Sequence, residues 1–110
     1  MEAEYCFYVE IIPAEGGLRR LPLPTNEDIL AGRSLNRCRL LLNDPLVSRV
    51  HLRIRCDDNQ RITVTDMHTA NGSKLDGRAL ESGFAMTWLI NQPIEIGKTH
   101  LILRYGTLED

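Results

Sequence analysis

Apolar and polar residues alternate along this chain in short runs, and clusters of Gly, Pro, Asn and Asp interrupt them about every ten positions. Residues 4–12 (EYCFYVEII) alternate and are rich in aromatic and β-branched side chains, and Pro13 with Gly16-Gly17 closes the run. This predicts a first strand, because such side chains pack well on a pleated surface. Residues 18–23 (LRRLPL) predict a returning strand. Pro22 and Pro24 confine its end to an edge or a loop, since proline offers no N–H to a sheet ladder. DILAG (28–32), CRLLL (38–42), VHLRIRC (50–56) and RITVTD (61–66) follow, the last two joined by a hairpin turn at Asp57-Asp58-Asn59-Gln60. AMTWLI (85–90), PIEIG (93–97) and HLILRY (100–105) complete the series. No window sustains a helical period. Repeated short strands without helices predict an all-β sandwich.

Length and composition narrow this picture. A chain of 110 residues, 43% of them hydrophobic, suits one domain with one core, so a single domain over 1–110 is expected. The closing TLED is consistent with the start of a linker, and the chain can be a piece of a longer protein. The first residues carry acids and no basic stretch, which argues against a secretory signal. No apolar run approaches the roughly 18 residues of a membrane span, so no membrane partner is expected. Cys6, Cys38 and Cys56 are odd in number and scattered, which favours reduced thiols and a cytoplasmic location.

The formal net charge of −2 argues against a generally basic nucleic-acid binder, and 5% aromatic residues leave little to stack on bases. The net value hides an asymmetry. Between residues 33 and 55 stand six arginines (Arg33, Arg37, Arg39, Arg49, Arg53 and Arg55) against the single acid Asp44. Arg53 and Arg55 read as a solvated strand face; for the others a patch suited to a small anion stands beside that plainer reading.

Three clusters fall where strands hand over to loops, the usual place for binding groups on a rigid sandwich. The first is Gly32-Arg33. Glycine permits a tight backbone course, and arginine presents a planar fork that grips phosphate oxygens with two hydrogen bonds. The second is NDPLVSRVH, 43–51, in which Ser48 offers a hydroxyl, Arg49 a charge, and His51 follows three residues later. Successive strand residues face opposite ways, so Ser48 and His51 cooperate only if the chain bends between them. The third is DMHTANGSKLDG, 66–77, with strong turn signals at Asn71-Gly72 and Asp76-Gly77. Asn71 carries both a carbonyl and an amide, the pair needed to clasp an extended peptide backbone.

A Gly-Arg pair, Ser-x-x-His fifteen residues after the arginine, and then an Asn-Gly-x-x-x-x-Gly run resemble the forkhead-associated (FHA) domain family. DPLVSRVHLRI, TANGSKLDG and the closing PIEIGKTHLILRY are similar to that family's signature stretches, and the likeness runs from about 29 to 105. The resemblance implies an all-β fold of the FHA/SMAD type: about eleven strands in two sheets, with binding loops at one end and both termini at the other. It implies that Arg33 and Ser48 hold a phosphate, that Arg49 adds to that contact, and that Asn71 hydrogen-bonds the main chain beside a phosphothreonine. Gly32, His51 and Gly72 are then architectural, with His51 bracing the loop that carries Ser48. It further implies a preference for phosphothreonine over phosphoserine, and selectivity from the residue three places beyond. Two positions depart from the family pattern. Ala70 stands where threonine or serine is frequent, and His68 where glycine is frequent; these bear on peptide selectivity.

The implied function is a phosphothreonine-peptide-binding adaptor that recruits phosphorylated partners in kinase signalling, either a Ser/Thr kinase or its substrates. The alternative is an interaction domain that uses a sheet face and ignores phosphate, for which Ala70 leaves room. An enzyme is not expected. Ser48, His51 and Asp44 lack a nucleophile elbow and are joined by only a short loop, which argues against a hydrolase triad. His51, His68 and His100 with the three cysteines match no metal-ligand spacing, so no metal or other cofactor is expected, and Trp88 reads as core.

Overall fold

The computed structural model describes residues 4–108, which contain eleven strands and no helix. These are β1 (Cys6–Ile12), β2 (Arg19–Pro22), β3 (Asp28–Gly32), β4 (Leu40–Leu41), β5 (Leu52–Cys56), β6 (Ile62–Asp66), β7 (Lys74–Leu75), β8 (Arg78–Ala79), β9 (Met86–Thr87), β10 (Pro93–Ile96) and β11 (Thr99–Gly106). One sheet has six strands in the order β2-β1-β11-β10-β7-β8, and the other five in the order β4-β3-β5-β6-β9. Pairing is antiparallel throughout except between β3 and β4. Pro22 ends the edge strand β2, where its missing N–H costs no ladder bond.

Alternation places the core between the sheets. In β5, Leu52, Ile54 and Cys56 are buried while Arg53 and Arg55 lie on the opposite face, and Arg55 pairs with Asp28 at 3.0 Å. Val9 and Ile11 of β1, Ile29 and Ala31 of β3, Ile94 and Ile96 of β10, and Leu101 and Leu103 of β11 complete the same cluster. Trp88 is fully buried there, and its indole N–H donates to the Gln92 carbonyl at 2.9 Å. All three cysteines are free thiols, Cys38 and Cys56 buried and Cys6 half-buried.

Four strands differ from the sequence pattern, each for a local reason. β7 and β8 have two residues each and too few apolar positions to alternate; what makes them a hairpin is the Asp76-Gly77 turn, with φ of 51° and 83°. Two central residues with positive φ match the right-handed twist of the flanking strands. AMTWLI keeps its strand only to Thr87, because Leu89 N–H turns to the Gln92 side-chain oxygen and Asn91 adopts φ 70°. CRLLL shortens to Leu40–Leu41 because the Cys38 N–H closes a turn on the Ser34 carbonyl. The 57–60 turn is as expected. The Asp57 carboxylate accepts the N–H groups of Asn59 and Arg61, each at 2.9 Å.

Candidate functional site

The β3–β4, β4–β5 and β6–β7 connections and the β10–β11 turn meet at one end of the sandwich, with the β1–β2 turn beside Leu41 and Asn43. Opposite them lie the start of β1 and the end of β11. β11 starts at Thr99, bonded to Asp44 of this end, and finishes opposite Cys6; at about 3.4 Å per residue that is roughly 24 Å away.

Gly32 sets the first junction. A Cβ there would lie 2.3 Å from the Arg49 carbonyl oxygen and 2.8 Å from that of Ser48, so only glycine lets the end of β3 lie against the β4–β5 loop. The chain then exchanges backbone bonds with that loop. Arg33 N–H donates to Ser48 O at 3.1 Å and Ser34 N–H to Arg49 O at 3.0 Å. The Arg33 side chain is exposed, and its Nε donates to the Val47 carbonyl. This bond orients the guanidinium and leaves its two terminal nitrogens without a partner among the described residues.

The β4–β5 loop bends sharply, as cooperation between Ser48 and His51 requires. The fully buried His51 ring sits beneath it. Its Nδ1 accepts the Ser48 backbone N–H at 2.9 Å, and its Nε2 lies 2.9 Å from the Gly72 carbonyl. An Nδ1 that accepts must be unprotonated, so Nε2 carries the hydrogen and donates to Gly72. His51 also ties its backbone to Ala31 and Met67, at 2.8 and 2.9 Å. One residue thus links β3, the Ser48 loop and the Asn71 loop. The half-buried Ser48 hydroxyl has no partner among the described residues, and the ring meets the Ser48 amide rather than that hydroxyl. The triad geometry is absent.

Asn71, which is exposed, donates from its side-chain amide to Leu46 O at 2.9 Å, a second tie between the loops. Its carbonyl oxygen is unengaged among the described residues. Gly72 has φ 75°, in the left-handed region that favours glycine. His68 has φ 56°, which explains why glycine suits this position; its ring lies over Gly83, where a Cβ would come within 2.9 Å of Nε2. The His68 ring thus packs against the β8–β9 connection.

Two buried aspartates hold the loops, a role the sequence pattern assigned to neither. Asp66 Oδ1 accepts the hydroxyls of Ser73 and Thr69 at 2.6 and 2.7 Å, and Oδ2 accepts the Ser82 hydroxyl at 2.7 Å and the Thr69 N–H at 3.2 Å. Thr69 Oγ1 in turn accepts Gly72 N–H at 3.0 Å, so the network reaches the Asn71 turn. Burial pushes the Asp66 carboxyl up, but the bonds from Ser73, Ser82 and Thr69 outweigh it and hold it below the ordinary aspartate range. The Asp-x-x-Thr spacing of a side-chain turn was the one available sequence signal. Asp44 accepts Leu46 N–H at 3.0 Å, Lys98 N–H at 2.8 Å and the Thr99 hydroxyl at 2.9 Å, fastening the β4–β5 loop to the β10–β11 turn. Burial raises this carboxyl too; the Leu46 and Lys98 amides, the Thr99 hydroxyl and the Lys98 charge together lower it below the usual range.

The exposed charge on the β3–β4 and β4–β5 loops is positive, while the carboxylates of Glu95, beside Asn71, and Glu15, beside Asn43, also lie at this end. Arg39 and Arg55 point elsewhere, to Glu27 and Asp28, at 3.5 and 3.0 Å. Arg33, Arg37 and Arg49 have no carboxylate partner among the described residues. A hollow of about 530 Å³ lined by Arg33, Leu35, Leu41 and Pro45 lies to one side of Arg33, and one of about 270 Å³ lined by Leu46, Asn71, Gly72 and Lys74 lies beside Asn71. Ser48 lines neither. Among the described residues no cluster of His, Cys, Asp or Glu could hold a metal ion, and no helix is long and apolar enough to cross a membrane.

The two-sheet sandwich carries an arginine, a serine and an asparagine on separate, mutually bonded loops at one tip. The family model for the FHA domain matches residues 29–97, and the chain belongs to the FHA family. No curated protein sequence matches it significantly. Among solved structures, the FHA domain of CT664 from Chlamydia trachomatis superposes with a TM-score of 0.83 at 23% identity, covering 90% of this chain and 96% of that one. The FHA domain of MEK1 gives 0.77 at 24% identity over 89% and 88%. The same domain in complex with a HOP1 phosphothreonine peptide gives 0.73 at 23% over 92% and 97%. At these identities the likeness establishes the shared all-β sandwich. FHA domains are interaction modules.

Proposed function

We propose that the chain is a single FHA domain, over 1–110, that binds phosphothreonine segments of partner proteins. The observation that carries this reading is the division of labour at the tip. Backbone bonds, Gly32 and His51 hold the loops, while the Arg33 terminal nitrogens, the Ser48 hydroxyl and the Asn71 carbonyl are left without partners among the described residues. A dianionic phosphate supplies acceptors for the guanidinium and the hydroxyl, with Arg49 adding charge. An extended peptide backbone supplies an N–H for the Asn71 oxygen. The MEK1 domain bound to a phosphothreonine peptide supports carrying this chemistry to the present chain. Gly32, His51 and Gly72 act as bracing. The biological role that follows is recruitment of a phosphorylated Ser/Thr kinase or its substrates within cytoplasmic signalling.

A degenerate peptide library with fixed phosphothreonine, phosphoserine or threonine tests this, followed by calorimetry on a selected sequence. The phosphothreonine pool is enriched. Arg33→Ala keeps its melting temperature, because the side chain is exposed, and weakens binding at least about tenfold, since charge-assisted bonds are worth roughly 1.5–3 kcal/mol each. Equal affinity of Arg33→Ala and the parent, or no enrichment of phosphothreonine, overturns the reading in favour of phosphate-independent contact through a sheet face.

A further inference from the structure

We propose that the open edge at β9 is a self-association surface, on which a second copy of this chain pairs about a two-fold axis. Residues 82–94 carry no charged side chain, and within them Phe84, Met86, Leu89 and Ile90 are between 46% and 59% exposed. Among the described residues the sandwich has four edge strands, β2 and β8 in one sheet and β4 and β9 in the other. Charged side chains and proline at an edge discourage pairing with another chain. β2 carries Arg19, Arg20 and Pro22, β4 follows Arg39, and β8 carries Arg78. β9 has no such residue and is limited only by its length of two residues. Its backbone is open as well. Trp88 N–H donates to Ile62 O at 2.8 Å, in the register that sets Thr87 opposite Thr63, so the Thr87 N–H and C=O point away from β6. Neither has a partner among the described residues.

The occupant follows from the order of residues in the strip. An antiparallel pair centred on Thr87 lets the two threonines exchange N–H and carbonyl. It sets Met86 opposite Trp88, Ala85 opposite Leu89 and Phe84 opposite Ile90 of the second copy, so apolar meets apolar at every position. Leu89 turns its N–H to the Gln92 side chain and its carbonyl to the Gln92 N–H, so the ladder is short and side chains supply the rest of the contact. Two hollows flank Thr87 to receive them, one of about 550 Å³ walled by Leu75, Leu80 and Met86, the other of about 390 Å³ walled by Phe7, Leu89 and Ile90. Charge agrees at the rim. Arg61 adjoins Ile62, which pairs with Trp88, and the Glu81 carbonyl accepts Phe84 N–H at 3.2 Å; both side chains are exposed and have no ion-pair partner among the described residues. The two-fold reverses the strand, so Arg61 of each copy meets the Glu81 end of the other. A foreign apolar strand would satisfy the edge equally, but the matched apolar order and the placed charges favour a second copy. β9 runs antiparallel to β6 and away from the tip, so the pair holds its two tips at opposite ends, both uncovered. On the phosphothreonine reading such a dimer links two phosphorylated chains; the pairing itself does not rest on that reading.

Sedimentation velocity over a concentration series tests this, with amide chemical shifts to locate the contact and thermal unfolding to check each variant. The strip is small beside a standard interface of roughly 1,600 Å², so the dimer belongs to the weak class and should form between about 10 µM and 1 mM. Over that range the average mass should rise toward twice that of the monomer. Amides of residues 84–89 should shift with concentration, while those of 32–34 and 70–73 stay fixed. Thr87→Pro removes the N–H that faces the edge and spares the ladder with β6, so the fold should survive and association weaken at least about tenfold. Arg61→Glu or Glu81→Arg alone should weaken it about tenfold, since each disrupts two exposed pairs per dimer, and the double variant should return to within about twofold of the parent. The charge reversals leave the strand backbone as it is and decide the matter even if the proline variant unfolds. A chain that stays monomeric throughout overturns the proposal. So does association that these variants leave unchanged, or that Arg33→Ala abolishes. If the chain stays monomeric and an added uncharged extended peptide shifts the amides of 84–89, the edge takes a foreign strand and the second copy is wrong. No phosphopeptide enters the association assay, so its outcome is separate from that of the phosphothreonine reading.

Discussion

Replacing His51 separates bracing from ligand contact, because its ring touches two loops and is fully buried. Truncation to alanine removes the acceptor for the Ser48 amide and the donor for the Gly72 carbonyl, both at 2.9 Å. An orphaned polar group costs about 1–3 kcal/mol, and these two are only partly buried, so about 2 kcal/mol together is appropriate. The emptied ring volume adds roughly 1–2 kcal/mol. A loss of about 3–4 kcal/mol is a large share of the roughly 5–15 kcal/mol available to a domain of this size. At about 4 °C per kcal/mol the melting temperature falls by roughly 12–16 °C. His51→Phe nearly keeps the volume and loses both bonds, so it isolates the polar part: about 2 kcal/mol, or roughly 8 °C. Thermal unfolding followed by circular dichroism, with urea titration for the free energy, reads both variants. A phenylalanine variant within about 2 °C of the parent would mean that the two bonds add nothing net, and the argument for the strut would fail.

Asp66 gives a dependence on pH. Its folded pKa lies below the unfolded value of about 3.9, so its contribution is complete above that value and is lost as pH falls through the folded pKa. The stability of the parent, measured by urea unfolding, should drop below about pH 4, with Asp44 acting in the same direction. Asp66→Asn should be less stable than the parent at pH 7 and fall less steeply in acid; equal stability at pH 7 would contradict the network. Gly32→Ala should destabilise the fold by about 1–3 kcal/mol, the usual cost of overpacking, and weaken phosphothreonine peptides as Arg33 and Ser48 are forced apart. A variant that is unchanged in both would show that the close approach at Arg49 is not required.

The sandwich was legible because most of its strands have one buried face. Alternation marks β1, β3, β5, β6, β10 and β11 to within two residues, and the 57–60 turn carries its own chemistry in Asp57. β7 and β8 were not legible as strands, since a two-residue strand has no period to detect; only the Asp-Gly turn between them showed. The proposed ligand groups came from ordered motifs rather than from any single residue. Arg33, Ser48 and Asn71 do converge at one tip, although Asn71 spends its amide on Leu46 and keeps only the carbonyl side for a peptide. The bracing role of the aspartates went unread for a physical reason. A buried carboxylate is defined by its donors, and two of the three on Asp44, from Lys98 and Thr99, stand more than fifty residues along the chain. Pairing likewise decided which arginines matter, since Arg39 and Arg55 differ from Arg33 and Arg37 only in having Glu27 and Asp28 within reach.

The central claim is that phosphate and peptide backbone dock where the Arg33, Ser48 and Asn71 loops meet. Amide chemical-shift mapping on isotope-labelled protein, titrated with one library-selected phosphothreonine peptide and with its unphosphorylated twin, tests it most directly. The account requires that the phosphorylated peptide shift the amides of residues 32–34, 47–51 and 70–73, and that the twin leave them unmoved. Shifts spread over the outer face of β5 and β6 instead, or the same response to both peptides, would contradict it.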